Sequence, residues 1–320
     1  MRIYAQNAQA KHVLSLLTEV QSYFKTELTK VSDLHSIATE FIAVDWLRDK
    51  GVHGGGHRFE ALEGGLFNRA SINVSQIHYE DLPEKSYDSA TALSTIIHPA
   101  HPLLPSIHMH FSWTTLKDGS GYWRIMADLN PSHFDKEDKE YFDQTLKVAA
   151  KSYYAQGTKL GNEYFAIPAL NKRRGVSHFY LEGFNPVEED GAVFAKQFVT
   201  KVIDTYAHIL SSHLINLPQT TDAQLQQQLD YHTLYFYQVL TLDKGTTAGL
   251  LVHNQNDIGT LGSIPSHINR DLLEEWQGIS PEPINGLVAA LINVLPEESR
   301  CPITSETKAK LAQAIRTFYL

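Results

Sequence analysis

The segment SIHMHFSWTTLKDGSGYWRIMADL, Ser106 to Leu129, contains two strand-like runs that are joined by a short turn. The runs Ser106–Thr115 and Tyr122–Leu129 are rich in β-branched and aromatic residues, which favour strands. The link Lys117–Gly121 contains the Asp-Gly pair that is typical of hairpin turns. Two strands joined by so short a link run antiparallel, so the segment predicts an antiparallel sheet.

Other strand candidates lie on both sides of this hairpin. Ala70, Ile72 and Val74 alternate with polar residues, which is the period of a half-buried strand. The remaining candidates are Thr91–His98, a strand near His178–Glu182, and a final pair at Leu234–Leu242 and Ala248–His253 joined by a turn at Asp243–Thr246.

Helical periodicity appears around these strands. Apolar residues recur every three or four positions from residue 9 to residue 48, and we interpret them as two helices. Further helices are predicted at Lys136–Tyr154, at Ala192–Leu214 and in the tail from Ser305. Strands that meet through hairpins, with helices grouped around them, predict an α+β fold, and we expect a single domain over residues 1–320.

The composition limits the classes of function. Of the 320 residues, 42% are apolar and 20% are charged, which is ordinary for a globular protein. The formal charge of −9 argues against nucleic acid or an anionic membrane as the main partner. The single cysteine, Cys301, excludes an intramolecular disulfide and thiolate metal sites. We find neither a membrane-spanning apolar run nor a signal-peptide pattern and expect a cytoplasmic protein.

Four histidines, His98, His101, His108 and His110, lie close together in the sequence. His108 and His110 are two residues apart on a predicted strand and therefore point to the same face. They could ligate a metal with a third histidine, exchange protons beside an anionic substrate, or lie on a solvated face. No recognised array of metal ligands supports the first alternative, so we expect no catalytic metal.

Three other motifs each allow a functional and a purely structural interpretation. The run HGGGHR, His53 to Arg58, is either an anion-binding loop or a turn. Asp128 ends an apolar strand, where a carboxylate either forms the following turn or faces a site. The segment Asn171–His178 contains two adjacent arginines, of which strand alternation sends one inward.

Taken in order, these segments resemble the oxygen-dependent coproporphyrinogen III oxidase family. The four motifs are GGGHRFEALEGGLFNRASINVSQIH from Gly54 to His78, ALSTIIHPAHPLLPSIHMHFS from Ala92 to Ser112, WRIMADLNP from Trp123 to Pro131 and RRGVSHFYLEGF from Arg173 to Phe184. Their order across residues 54–184 makes the resemblance specific, while residues 230–280 match more weakly.

The resemblance implies a large, flat antiparallel sheet flanked by helices on both faces, in a homodimer. It also implies an enzyme of haem biosynthesis that converts two propionates of coproporphyrinogen III to vinyl groups, which gives protoporphyrinogen IX. Molecular oxygen is the co-substrate, carbon dioxide and hydrogen peroxide leave, and no metal or organic cofactor is required. The expected partners are therefore a tetrapyrrole and a second copy of the chain.

The functional residues of the family fall on named positions of this sequence. Asp128 matches the aspartate that would accept the pyrrole N–H groups, and His108 matches an active-site histidine suited to proton transfer. Arg174 matches an arginine that would bind a propionate. Ser94 and His98 match positions close to the substrate.

The sequence departs from the family at anion-binding positions. His110 and Ser112 replace an asparagine and an arginine, and Asn256 stands where another arginine is expected. Each charge-assisted bond to a carboxylate contributes about 1.5–3 kcal/mol, so we expect other basic residues to compensate. The candidates are Arg58, Arg124, Arg173, His101 and His110.

Arg124 is the favoured substitute, because it lies four residues before Asp128 and strand alternation places both side chains on one face. Other functions remain open. A tetrapyrrole-binding carrier, or an oxidase with a different porphyrinogen substrate, would explain the missing arginines. A metal-dependent hydrolase would instead use the histidines.

Overall fold

A computed structural model describes residues 1–61, 63–187, 189–252 and 255–319 of the chain. The main strands are β1 (Ile42–Leu47), β2 (Gly54–Ala61), β3 (Phe67–His78), β4 (Tyr87–Pro99), β5 (Ser106–Leu116) and β6 (Gly121–Asn130). Short strands follow as β7 (Ala166–Ile167) and β8 (Lys172–Arg173), then β9 (Ser177–Phe184), β10 (His267–Asn269) and β11 (Arg300–Pro302). Within these residues a seven-stranded sheet has the order β1-β2-β3-β4-β5-β6-β9, and all its neighbours are antiparallel.

Helices cover both faces of this sheet, which confirms the predicted α+β class. The first group is α1 (Ala8–Leu34), α2 (Lys136–Ala150), α3 (Tyr154–Tyr164) and α4 (Gly191–Leu214). The second group is α5 (Asp222–Thr241), α6 (Lys244–Val252), α7 (Asp257–Thr260), α8 (Arg270–Ile279), α9 (Ile284–Ile292) and α10 (Ser305–Tyr319). Over the described ranges, none of these helices combines the length and the apolar character that crossing a membrane requires.

The two faces of the sheet are packed differently. Helices α1, α2 and α4 share one large apolar core with the strands, which includes Ile107 and Phe111 of β5. Helices α5, α6, α8, α9 and α10 form most of a second core. Among the described residues, Ile96 is the member of this core that comes from the large sheet. The second helical layer therefore touches the sheet over little apolar area and leaves space above the strands.

Strand alternation explains why this second face is polar. Ile107, Met109 and Phe111 are fully buried against the first helical group. His108 and His110 lie between them in sequence and therefore point to the opposite face. A slip of one residue in the register would exchange the two sets, so burial of the apolar set determines where the histidines point.

Most of the predicted elements are confirmed. The strands at Thr91–His98, Ser106–Thr115, Tyr122–Leu129 and His178–Glu182 lie within β4, β5, β6 and β9. The helices at Lys136–Tyr154, Ala192–Leu214 and the tail correspond to α2, α4 and α10, apart from the ends. The second N-terminal helix was wrong, because α1 ends at Leu34 and Ile42–Leu47 is strand β1, paired with β2.

The predicted final strand pair was also wrong. Leu234–Leu242 lies almost entirely within helix α5, and Ala248 begins the second half of α6. From Tyr231 to Thr241 almost every residue of α5 is buried, so the segment has no polar face to reveal a helical period. Asp243 directly precedes α6 and accepts a hydrogen bond from Thr246 N in its first turn. His253, at the end of the predicted second strand, lies outside the described residues.

The glycine run is neither a turn nor an anion-binding loop, because Gly54 to Gly56 form the start of β2 between β1 and β3. A Cβ atom on Gly54 would lie 2.0 Å from Gln76 O, and one on Gly55 would lie 2.2 Å from Trp46 O. Both residues also have positive φ angles, of +92° and +150°. The glycines therefore allow close backbone approach between three strands.

Two buried histidines connect the sheet to α5. The rings of His98 and His232 lie 5.2 Å apart, and the two residues are 0% and 3% exposed. Burial, followed by the charges of Arg300 and His267, lowers the pKa of His232 to about 3. Burial, followed by His232 and Arg174, holds the pKa of His98 well below its usual value. Both are therefore neutral in the folded protein.

We predict that the protein loses stability as the pH falls below about 6.5, the pKa of an unfolded histidine. The unfolded chain then binds protons that the folded chain does not, which costs about 1.4 kcal/mol per pH unit for each histidine. Urea denaturation at pH 7.5 and pH 5.5 measures the loss. His232→Leu should reduce this pH dependence by about one proton, and an unchanged dependence would contradict the burial of a neutral His232.

Candidate active site

A cavity of about 440 Å³ lies between the polar face of the sheet and helices α5 to α7. The sheet residues that line it include Ser71, Asn73, Ser75, Ala92, Ser94, His108 and His110. Its walls include Trp46, Arg124, Tyr235, Asp243 and Asn256. A chemically mixed, partly enclosed space of this kind is typical of a small-molecule site.

The floor of the cavity consists of small side chains in register. Asn73 of β3, Ser94 of β4 and His110 of β5 lie side by side in one row across the sheet. The next row contains Ser75, Ala92 and Ser112 in the same order. Most of these side chains are short, and the space between them and the second helical layer is not filled, so a largely polar surface remains open to a ligand.

His108 lies at the cavity beside a buried ion pair. Its side chain is 15% exposed, and its Nδ1 lies 3.2 Å from Asp128 Oδ1 and 3.1 Å from Arg174 Nη2. A proton on Nδ1 suits Asp128, whereas a proton on Nε2 leaves Nδ1 free to accept from Arg174. Among the described residues Nε2 has no hydrogen-bond partner, so this nitrogen is available to exchange a proton with a ligand.

Asp128 lies behind His108 and not at the cavity. Its carboxylate is 0% exposed, and Oδ2 accepts from Asn130 Nδ2 at 2.5 Å and from Arg174 Nη2 at 3.0 Å. Direct contact with pyrrole N–H groups, which the resemblance implied, would require rearrangement of this cluster. In the present geometry the charge of Asp128 reaches a ligand through His108.

Arg174 occupies the same buried position and does not reach the cavity as a propionate ligand. It is 0% exposed, and its guanidinium lies 4.5 Å from the ring centre of Phe165 and 5.0 Å from that of Tyr235. As predicted, one of the two adjacent arginines is buried, but strand alternation is not the cause, because Arg174 lies after β8 and both residues of β8 are exposed. The structure therefore gives Arg174 a supporting position beneath His108.

His110 lies on the floor as a neutral ring. Its Nδ1 is 2.8 Å from Ser94 Oγ, and its Nε2 is 3.0 Å from Ser112 Oγ. Burial, followed by the charges of Arg124 and His108, lowers its pKa to about 3. His110 therefore does not replace the missing arginine as a cation, and both of its ring nitrogens already have serine partners.

Arg124 lies in the cavity wall directly opposite Ser112 in the strand register. Its Nη2 donates to Tyr164 Oη at 3.0 Å, and its guanidinium lies 5.3 Å from the ring centre of Tyr180. Tyr164 in turn donates to Asp243 Oδ2 at 2.9 Å. The expectation that alternation brings Arg124 to the face of Asp128 agrees with the register, which pairs Ser112 with Arg124 and His108 with Asp128.

The other candidate residues lie away from the cavity. Arg58 is 5% exposed, bonds Glu60 at 2.8 Å and reaches only Asn256 at the cavity edge. His98 is buried against Ser106 and Tyr235. His101 bonds Pro218 O at 2.9 Å, and Arg173 lines a separate depression of about 580 Å³ on the outside of α3. Of the five substitutes for the missing arginine, Arg124 is thus the cation in the cavity wall.

Sequence reasoning did not find Tyr164, Asp243, Trp46 or Tyr235. Trp46 belongs to the segment that was assigned to a helix, Tyr235 to a segment that was assigned to a strand, and Asp243 to the turn that was predicted to follow that strand. The glycine run was the one signal in the sequence for Trp46, because a glycine leaves room for a large neighbouring ring. A Cβ atom on Gly56 would lie 2.4 Å from Trp46 Nε1.

The four clustered histidines do not come together as a metal site in the described part of the chain. Among the described residues, the side chains whose ligand atoms lie close enough together for a metal ion are Asp135, Asp138 and His213, at the start of α2 and the end of α4. His213 Nε2 bonds Asp138 Oδ2 at 2.8 Å, which raises the pKa of His213, and Asp135 caps α2. These residues already form an ion pair and a helix cap.

Comparison with known proteins gives a consistent result. A family model described as coproporphyrinogen III oxidase matches residues 12–282. The mitochondrial oxygen-dependent coproporphyrinogen-III oxidase of Rattus norvegicus is 25% identical over 307 residues, covering 88% of this chain and 66% of that protein. The mitochondrial enzyme of the same name from Homo sapiens is 25% identical over 306 residues, covering 88% of this chain and 64% of that protein. The oxygen-dependent coproporphyrinogen-III oxidase of Rickettsia bellii is 25% identical over 275 residues, covering 79% and 95%. The chain thus spans just under two thirds of the mammalian relatives' length.

We predict that Arg174→Met destabilises the fold by about 3–5 kcal/mol, because it leaves the Asp128 carboxylate buried without its cation. Urea denaturation at pH 7.5 measures this change. Arg173→Met is the matched control, since its side chain is exposed and its loss should change stability by less than about 0.5 kcal/mol. Equal stability of the two variants would show that the ion pair contributes nothing to the fold.

Proposed function

We propose, because the chain belongs to the coproporphyrinogen III oxidase family, that it catalyses the oxygen-dependent conversion of coproporphyrinogen III to protoporphyrinogen IX in haem biosynthesis. In each of two propionates the bond to the carboxyl carbon breaks and carbon dioxide leaves. A hydrogen is removed from the carbon next to the pyrrole, and a vinyl group forms. Molecular oxygen takes the two electrons and two protons and becomes hydrogen peroxide.

The position of His108 is the observation that carries this proposal. It lies at the cavity, and its Nδ1 is held between a carboxylate and a guanidinium. Nδ1 can donate to Asp128 when it carries a proton and can accept from Arg174 when it does not, so both forms of the ring have a hydrogen-bond partner. We assign it the proton transfer that accompanies vinyl formation, with Asp128 acting through it.

The cavity offers complementary groups for the substrate. The flat floor of Asn73, Ser94 and His110 suits a broad macrocycle. Arg124 supplies a cation for one carboxylate, and guanidinium groups bind carboxylates with directional hydrogen bonds. Asp243 also lines the cavity, but both of its carboxylate oxygens already accept hydrogen bonds, from Thr246 N and from Tyr164 Oη.

We propose that molecular oxygen reacts without a bound metal or organic cofactor. The arrangement of His110 supports this. Both of its ring nitrogens face serine hydroxyls at hydrogen-bond distance, so it does not present a free nitrogen beside His108. A cytoplasmic location stays a prediction of the composition.

A tetrapyrrole carrier is the alternative, and one observation favours it. Arg174, expected to bind a propionate, is buried and engaged with Asp128. With Ser112 in place of a further arginine, the site has fewer cations than the family motif, and a weakened site could bind a macrocycle without turning it over. The same observation fits an oxidase with a different porphyrinogen substrate.

Aerobic incubation of the purified protein with coproporphyrinogen III distinguishes the oxidase from the carrier. The products are oxidised to porphyrins and detected by fluorescence. We predict oxygen-dependent protoporphyrin formation, and a fall in kcat of about 10²–10⁴ in His108→Gln with a smaller change in KM. Asp128→Asn should lower kcat by about 10²–10³. His101→Gln, a histidine outside the cavity, is the matched control and should keep full activity.

A protein that binds coproporphyrinogen but forms no oxygen-dependent product would establish the carrier instead. If His108→Gln kept full activity, the oxidase would stand and the proton transfer would belong to another group. Circular dichroism of each variant identifies a loss of activity that is due to misfolding.

We also propose that the chain forms a homodimer. Strand β1 lies at the edge of the sheet, and within the described residues no strand pairs with its outer side. Its side chains include Ile42 and Leu47, which are 45% and 39% exposed. An exposed edge of this kind is a usual site of pairing with another chain.

Light scattering at micromolar concentration should therefore give twice the chain mass of 36.0 kDa. The edge of β1 supplies the variant, because Ile42→Lys places a charge where a partner strand would pack and should shift the mass toward the monomer. A wild-type particle of 36.0 kDa would contradict the dimer.

A further inference from the structure

Arg124 is a cation in the cavity wall that lacks an ionic partner. Among the described residues no carboxylate oxygen lies within 4.0 Å of its guanidinium nitrogens, whereas Arg58 and Arg174 both have one. Nη2 donates to the neutral hydroxyl of Tyr164, and Nε is buried without a hydrogen-bond partner in the described chain. A guanidinium that is partly removed from water in this way favours an incoming anion.

A carboxylate nevertheless lies close to it. Asp243 is 9% exposed and lines the same cavity, and Gly245 lies next to both side chains. Burial raises the pKa of Asp243, but hydrogen bonds from Thr246 N and Tyr164, together with the charges of His108 and Arg124, outweigh it and lower that pKa. Asp243 is therefore ionised, and in a desolvated wall an ionised pair attracts strongly.

The hydroxyl of Tyr164 stands between the two charges. It accepts from Arg124 Nη2 at 3.0 Å and donates to Asp243 Oδ2 at 2.9 Å. Tyr164 is the last residue of α3, and its ring is stacked on Tyr180 with centroids 4.5 Å apart and planes at 19°. Thr246 N holds the other oxygen of Asp243 at 2.7 Å. Tyr164 and Asp243 are thus each held in place by a residue outside this hydrogen-bonded series.

We propose that Tyr164 is a positioning residue that keeps Arg124 available for a substrate carboxylate by holding Asp243 away from it. This inference rests on the proposed tetrapyrrole function and specifies how its carboxylate site is kept open. Without the hydroxyl, the guanidinium and the carboxylate form a direct ion pair, and the site loses its affinity for an external anion.

This arrangement predicts that a second substitution restores the affinity lost in a Tyr164 variant. A tyrosine with a merely structural role would not allow such a rescue. Tyr164→Phe keeps the stacked ring and removes the bridge, so carboxylate binding should weaken by about 10- to 100-fold, the effect of one charge-assisted hydrogen bond. Adding Asp243→Asn removes the competing charge and retains an oxygen for Thr246 N. The double variant should therefore regain most of the affinity.

The test is a fluorescence titration with coproporphyrin III, the air-stable oxidised form of the proposed substrate. It compares the wild type, Tyr164→Phe, Tyr164→Phe/Asp243→Asn and Arg124→Ala, which should bind as weakly as Tyr164→Phe. Tyr23→Phe is the matched control, because Tyr23 makes the same kind of bond to Asp204 between α1 and α4, on the other side of the sheet. It should bind as the wild type does.

A weak single variant and a restored double variant support the inference. Wild-type affinity in Tyr164→Phe, or a double variant that stays as weak as the single one, overturns it and leaves the proposed function intact. If the wild type itself binds no coproporphyrin III, the tetrapyrrole function fails, and the inference fails with it.

Discussion

The buried ion pair of Asp128 and Arg174 is the interaction on which the site depends. Both residues are 0% exposed, and removing two charges from water costs several kcal/mol per ion unless their contacts offset it. Burial raises the pKa of Asp128, but the charges of Arg174 and His108 outweigh it and hold this pKa below its usual value. Arg174 also packs between the rings of Phe165 and Tyr235. Phe165 directly follows α3, and Tyr235 belongs to α5. One ion pair therefore ties the central sheet to both neighbouring elements and fixes the position of His108 relative to all of them.

The same strands serve stability on one face and function on the other. Ile107, Met109 and Phe111 are fully buried in the large core, and the strength of that core holds the register of β5. The opposite face is left with short polar side chains and with little apolar contact to the second helical layer. The cavity is thus a region where packing has been omitted, and the first face and the second helical core supply the stability that it lacks.

The sequence pattern predicted those features of the fold and the site that depend only on residues close in sequence. Alternation placed Arg124 and Asp128 on one face because a strand repeats every two residues, and the register agrees. Burial on nearly all sides of α5 removed the helical period of His232–Val239, so aromatic and β-branched composition gave the wrong element there. Tyr164 and Asp243 are 79 residues apart and meet through tertiary packing, and Arg174 is hidden only because Phe165 and Tyr235 cover it. Neither the polar chain nor the burial of the arginine has a signal in sequence spacing.

The spacing of the charged groups constrains how a tetrapyrrole would lie in the cavity. Among the described residues that line it, Arg124 is the one permanent cation, and His110 is neutral because its pKa is lowered to about 3. Arg124 lies opposite Ser112, four residues along β5 from His108, which is roughly 13 Å at about 3.3 Å per residue. On the proposed function, this spacing along the strand would assign the carboxylate bound by Arg124 and the propionate near His108 to different pyrrole rings. The remaining carboxylates would have no cation in the described cavity wall and would stay solvated at its opening. On the proposed function, Arg124 consequently acts as a distant anchor that determines which ring faces His108.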